Sequence, residues 1–211
     1  WLLKDVQMEY LQEKFDKKGL MILYTAPWPG QGFYTKFPVN SVSDFSGKKL
    51  RIYSTATQQM GSMLGFNATI LPFAEIPQAF STGLIEALFT SPQTGIDIQA
   101  WDNTKHFTYA GAIFSKNAVV VTKKAFNALS KDDQSNMLAA AKKAELRGWE
   151  MSAETTKKQI DILKKNGMSS KNAPDEVISK MKSIGLEMMK NWRSKASPEA
   201  NAVLDRYLSM R

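Results

Sequence analysis

The 211-residue chain contains no cysteine and a single histidine, His106. The first absence removes disulfides, thiolate metal sites and cysteine nucleophiles. The second leaves neither a histidine-based metal centre nor a Ser-His-Asp triad to assemble. Long apolar runs are missing as well, since none approaches the ~18 residues that carry a helix across a bilayer, so no direct membrane insertion is expected. There is no internal repeat and no low-complexity tract. Gly30-Gln31-Gly32 is a lone GxG with no helix behind it, which is not a dinucleotide fingerprint. No two carboxylates share a nameable pocket, so general acid–base chemistry lacks candidates. Neither a metal nor a cofactor is expected. The first residue is Trp1, with no initiator Met and no charged-then-apolar leader, as in a mature, processed or truncated product whose signal peptide is removed or absent.

What remains is an ordinary globular composition, 43% hydrophobic and 23% charged. The net charge of +8 is unevenly placed. Residues 1–120 carry 10 basic and 9 acidic side chains, whereas residues 121–211 carry 18 and 11. In that second stretch the lysines alternate with acids at helical spacing, as on a solvated helix face, and not in the manner of a basic groove lined with stacking aromatics. Nucleic acid is therefore not an expected partner. Asn67-Ala68-Thr69 fits the glycosylation tripeptide, but it leads into a predicted strand.

Periodicity predicts a helix over 3–18, with Leu3, Val6, Tyr10, Leu11 and Phe15 on one side, and a strand over 20–24. Residues 26–32 read as a turn-rich loop, followed by a polar connector to Gly47. Three strands then alternate with two helices: 49–53, 68–71 and 85–90, with helices over 55–64 and 75–82 and a further short one near 96–101. Such β-α-β-α-β order implies parallel strands joined by right-handed crossovers, and sheets of this kind bind ligands beyond the C-terminal ends of their strands. Two more strands are expected over 107–114 and 118–122. A helix opens after Ser130 and runs unbroken to about Lys165, and two others begin at Pro174 and Ser197.

Arg51 is the principal candidate. Leu50 and Ile52 point to one face of their strand, so Arg51 and Tyr53 point to the other. A mid-strand arginine is costly unless it meets a carboxylate, a phosphate or the mouth of a pocket. Its planar fork suits bidentate grip of an anionic ligand; an internal ion pair with Glu75 or Glu86 is the competing explanation. Trp28, Phe33, Tyr34, Phe73 and Trp101 fall in loops or just after predicted strands, where aromatics wall pockets as well as fill cores. Thr90 and Ser91, at the end of the third strand, supply hydroxyls.

Several runs resemble one family. Ser43-Asp44-Phe45-Ser46-Gly47-Lys48-Lys49-Leu50-Arg51-Ile52 is similar to the DLKGLKIR signature of solute-binding proteins of tripartite ATP-independent periplasmic (TRAP) transporters. Leu64-Gly65-Phe66-Asn67-Ala68 resembles its LGA step, and the run from Pro72 to Glu86 resembles its PxxEVYxALQTGxVDG segment. Lys123-Lys124-Ala125-Phe126 and Leu129-Ser130-Lys131-Asp132-Asp133-Gln134 resemble the opening of the family's long helix. The order and spacing of these runs are more specific than any one of them.

The resemblance implies an α/β periplasmic binding protein-like fold with two α/β lobes, a hinge and a long lobe-spanning helix. Residues 1–27 and 117–148 would be the remnant of an incomplete first lobe, and 28–116 and 149–211 the second. It further implies a periplasmic receptor, not an enzyme, that binds a small organic carboxylate and delivers it to TRAP transporter membrane subunits. Arg51 falls on the family arginine that pairs with the ligand carboxylate and Phe73 on a packing position. Thr90 and Ser91 straddle a contact position, and Asn117 matches another polar contact. Gln31 stands nearest to a second arginine found in some members. With Trp28, Phe33, Phe73 and Trp101 as walls, that replacement favours a monocarboxylate with an apolar or aromatic body. A lyase or isomerase that uses Arg51 to anchor a carboxylic acid is the alternative.

Overall fold

The structure is a computed structural model that describes residues 2–210. Its contacts divide the chain into two compact units. One comprises Trp1–Pro27, Lys116–Glu150 and Met188–Arg211, the other Trp28–Ser115 and Met151–Glu187. Among the described residues no helix is long and apolar enough to cross a membrane.

In the first unit, helix α1 (Leu2–Asp16) is followed by strand β1 (Leu20–Pro27). Gly19 makes the turn between them at φ 70°, a left-handed conformation in which only glycine avoids a Cβ clash. β1 pairs antiparallel with β7 (Lys116–Thr122), from Leu20 opposite Thr122 to Pro27 opposite Lys116. A short helix, α5 (Lys123–Asn127), follows β7, and a polar knot ties the ribbon to α6 (Lys131–Lys165). The Glu145 carboxylate accepts from the Thr25 amide at 2.9 Å and the Thr25 hydroxyl at 2.7 Å, and it meets Lys4 Nζ at 3.0 Å. Trp149 Nε1 donates to the Thr25 carbonyl at 3.2 Å, so buried Thr25 is satisfied from two directions. Helix α8 (Pro198–Ser209), capped by the Ser197 hydroxyl, packs on α1. For that reason Met188–Arg211 groups with this unit, whereas the sequence reading carries 149–211 wholly into the second lobe.

The second unit holds a six-stranded sheet in the order β4-β3-β5-β2-β6-β8. β3 (Lys49–Ile52), β4 (Asn67–Ile70) and β5 (Ala87–Thr90) are parallel neighbours, as the alternating pattern predicts. Helix α2 (Thr55–Met63) covers β3 and β4 closely through Gly61, where an added methyl would stand 3.0 Å from both Leu50 Cδ2 and Ala68 Cβ. Helix α3 (Ile76–Ser81) returns the chain to β5. Two strands depart from the sequence reading. Gln31–Thr35, expected as loop and connector, is β2, wholly buried between β5 and β6 (His106–Ala112) and antiparallel to both. Ser169–Asn172 forms β8, parallel to β6 at the sheet edge. The short helix expected near 96–101 starts earlier, as α4 (Pro92–Asp97), because Ser91 caps it and Pro92 suits its first turn. A 3-10 turn follows at Ala100–Asp102.

Strand parity sorts the core. Phe33 pairs with Phe89, and its ring lies 4.8 Å from those of Phe45 and Phe89 and 5.8 Å from that of Phe66, on the face of Leu50 and Ile52. On the other face Tyr34, Leu88 and Phe107 pack with Ile76, Phe80 and Leu163.

Candidate ligand-binding site

Arg51 pairs with Leu88 of β5 and Thr69 of β4, so its side chain leaves the sheet on the Tyr34–Leu88 face, near the C-terminal ends of the parallel strands. It is 5% exposed. Nε and Nη2 both donate to the Leu71 carbonyl, at 3.0 and 2.9 Å. That fixes the plane of the guanidinium and uses two of its five N–H donors. Among the described residues no carboxylate lies within ion-pair distance of Arg51. Glu86, one of the two acids weighed against it, instead accepts from the Lys49 amide at 3.3 Å. Burial pushes the Arg51 pKa below its ordinary value, with the neighbouring Tyr53 opposing the change. The arrangement is a desolvated cation whose counter-charge does not come from its own surroundings.

Tyr53, on the same face two residues on, brings its ring centroid to 6.0 Å from Arg51 Cζ. Its hydroxyl donates to Gln31 Oε1 at 2.9 Å. The Gln31 amide nitrogen in turn donates to the Ile113 carbonyl at 3.1 Å and reaches Ser115 Oγ at 3.5 Å. A bulge makes this possible. Gly32 faces Tyr109, yet Gln31 faces Ala112, so β6 carries two extra residues there and Gln31 is re-aimed. The bulged backbone turns through left-handed conformations at Gly111 (φ 59°) and Ile113 (φ 54°). Gly30 is needed beside it, because a methyl at that position would stand 2.7 Å from Tyr109 Oη.

The structure gathers only some of the candidate residues around this centre. Arg51 and Thr90 stand near the C-terminal ends of their parallel strands, on the same face by the pairing of Thr90 with Gly32, and Gln31 is tied to this end through Tyr53. Phe73 is 52% exposed, two residues beyond the carbonyl that Arg51 grips. Trp28 is half-buried, its amide bonded to the Ser115 carbonyl at 2.8 Å. Ser91 adjoins Thr90, but its hydroxyl is engaged in capping α4, accepting from the Thr94 amide at 3.2 Å. Phe33 is a correction: the parity of β2 sends its ring to the opposite face, into the aromatic core, and leaves it 0% exposed. Trp101 is a second correction. It packs against the cluster around Tyr34 and Phe107, in the connection leading back to the other end of the strands, where the Lys105 amide bonds the Thr35 carbonyl. Asn117 is exposed near the start of β7, in the first unit. Tyr53 is the residue that sequence reasoning left out of the site, although its parity with Arg51 already placed it on the same face.

Residues 1–195 match DctP, the bacterial extracellular solute-binding protein family 7. The chain belongs to this family. Among solved structures, family-7 resemblance is high to DctP7 of Bordetella pertussis, an extracytoplasmic solute receptor binding pyroglutamic acid. That receptor is 38% identical with a TM-score of 0.94, and the match covers 98% of this chain and 68% of that one. DctP6 of the same organism, also binding pyroglutamic acid, is 34% identical with a TM-score of 0.94, over 99% and 69% of the two chains. A marine metagenome TRAP solute-binding protein specific for pyroglutamate is 32% identical with a TM-score of 0.91, over 99% and 68%. The chain thus spans about two thirds of the length of these relatives and has the α/β fold of TRAP periplasmic binding proteins. Family-7 proteins are extracellular solute receptors and not enzymes, which sets aside a lyase or isomerase.

Proposed function

We propose that this chain is the periplasmic receptor of a TRAP transporter, that its two compact units are the lobes of that receptor, and that it carries a small monocarboxylate to the transporter's membrane subunits. The observation behind this reading is Arg51: a nearly buried guanidinium, held in plane by the Leu71 carbonyl and without a carboxylate partner among the described residues. A ligand carboxylate completes that site with two parallel charge-assisted hydrogen bonds. Gln31 and Tyr53 beside it are uncharged, which favours one carboxylate over two. Phe73 and Trp28 offer apolar surface to the rest of the ligand, and Thr90 a hydroxyl. Three relatives at 32–38% identity bind pyroglutamate, a compact ring bearing one carboxylate, which makes it the candidate ligand.

Calorimetry with pyroglutamate on the intact receptor tests this reading. Binding should be reversible, with the ligand recovered unchanged. Arg51→Ala should cost about 3–5 kcal/mol, as removal of one member of a buried ion pair does. Affinity of the variant within threefold of the parent would overturn the assignment.

A further inference from the structure

The hydrogen-bond chain beside Arg51 has a direction, and that direction carries information about the ligand. It begins at the Ile113 carbonyl, which only accepts. The Gln31 amide must therefore turn its NH2 toward Ile113, 3.1 Å away, and its oxygen toward Tyr53. That oxygen also only accepts, so the Tyr53 hydroxyl spends its single proton on Gln31 Oε1 at 2.9 Å. The phenolic oxygen is left with lone pairs and no proton to offer. Tyr53 is 36% exposed, and its ring stands 6.0 Å from the Arg51 guanidinium. Burial holds the phenol's pKa above its ordinary value, against the opposing influences of Gln31 and Arg51, so the proton stays in place at neutral pH. The ring that neighbours the uncompensated cation thus carries an oxygen that can take an N–H or O–H.

We infer that Tyr53 is a specificity residue of this receptor, its oxygen accepting a hydrogen bond from a donor on the carbon next to the ligand carboxylate, and that Gln31 positions it by claiming its proton. The inference rests on the carboxylate-receptor reading above and narrows it. The ligand class becomes monocarboxylates with an α N–H or O–H, and analogues with an acceptor in that place are rejected by lone-pair repulsion. Gln31 stands where a cation would leave the Tyr53 proton unclaimed and the direction of the chain undefined. The bulge at Gln31, the strained Ile113 and the close approach at Gly30 all maintain this one orientation.

Two probes of the same shape separate the possibilities: pyroglutamate, with a ring N–H beside the carboxylate, and 5-oxotetrahydrofuran-2-carboxylate, its lactone, with a ring oxygen there. The intact receptor should prefer the lactam by about 10- to 100-fold, the range for one unmet hydrogen bond at a partly buried site. Tyr53→Phe should weaken the lactam, which loses its acceptor, and leave the lactone at least as tightly bound as to the parent, since the repelling lone pairs are gone, so the preference disappears. Gln31→Leu should remove it differently. The freed Tyr53 hydroxyl rotates and donates to the lactone, whose affinity rises. A purely structural role for either residue would lower both affinities together and overturn the inference, as would equal binding of the two probes to the parent protein. Binding of neither probe would overturn the proposed function itself.

Discussion

Helix α4 rests on Tyr34 through Gly95, and the fit leaves no room for a methyl group. A Cβ built at Gly95 overlaps Oη and Cζ of Tyr34 and stands 2.6 Å from Cε1. The tyrosine has nowhere to retreat. It is 0% exposed, its ring centroid is 4.4 Å from that of Phe107, and its hydroxyl donates to the Ser91 carbonyl at 3.2 Å. Gly95→Ala must therefore lift α4 or displace the ring. Overpacking of a filled core costs about 1–3 kcal/mol. Losing the hydroxyl's bond to Ser91 adds about 1 kcal/mol. Against these stands a gain of about 1 kcal/mol from replacing a helical glycine by alanine. The net destabilisation is about 2 kcal/mol, which lowers the thermal transition by roughly 4–8 °C for a chain of this length. Gly185, in α7 (Asp175–Arg193), is the control, because a Cβ there meets nothing within 4 Å. Gly185→Ala should stabilise by about 0.5–1 kcal/mol. The decisive measurement is a double-mutant cycle by thermal or urea unfolding. Tyr34→Phe removes the atom most deeply overlapped, so it should damage the Gly95→Ala background about 1 kcal/mol less than it damages the parent. Additivity of the two changes, or a Gly95→Ala protein as stable as the parent, would refute the reasoning.

Other expectations follow from the same geometry. Arg51→Met removes a desolvated cation without a counter-ion, so the ligand-free protein should lose no stability by thermal unfolding while carboxylate binding disappears; Arg51→Lys should also bind weakly, since an ammonium cannot reproduce the fork. Ile113→Gly relieves a β-branched residue from φ 54° and should raise stability by about 1 kcal/mol in urea denaturation, less what the half-exposed side chain contributes. Glu145 has its pKa held low: burial opposes this, but hydrogen bonds from Thr25 and the ion pair with Lys4 prevail. Its contribution is therefore present above the ordinary glutamate value of about 4.3 and lost as pH falls through the depressed folded value, so Glu145→Gln should flatten the acid limb of a pH–stability profile. Pyroglutamate at 100 times its dissociation constant should stabilise the receptor by about 2.7 kcal/mol in a thermal-shift assay.

The parallel core was legible because its signals are local. Lys49-Leu50-Arg51-Ile52 alternates, Gly65 and Gly83 stop their helices, and Ser91-Pro92 opens the next. Arg51 announced itself by the same alternation, being the charged residue between two apolar ones. β2 was not legible. Gln31-Gly32-Phe33-Tyr34-Thr35 follows a proline and glycine cluster and carries no alternation, since both its faces are buried and its neighbours come from far along the chain. Missing that strand also misplaced Phe33, whose exposure depends on strand parity and not on proximity to a turn. Trp101 failed for a related reason: a position just after a helix does not say to which end of the strands the chain has returned. Gln31 was noticed as a departure from a charged residue, but its partner Tyr53 depends on a bulge that only the three-dimensional register reveals.

The polar edge strand β8 has a consequence for how the sheet is assembled. Its partner β6 is complete at Ala112, yet His106 finds Ser169 and Tyr109 finds Asn172 only 63 positions later. Closing a loop of that length costs about 3–4 kcal/mol of chain entropy before any ladder bond is gained. Ser-Ser-Lys-Asn contributes little apolar area to offset it. During refolding β6 therefore remains an open edge, already paired on one side by β2, until β7 and the helices that fill the interval are in place. β8 should be the last strand to dock and the first to release. Its backbone amides should exchange with solvent sooner than those of β2 in the middle of the same sheet, and while β6 stands unpaired the unfinished unit offers other chains a strand to join.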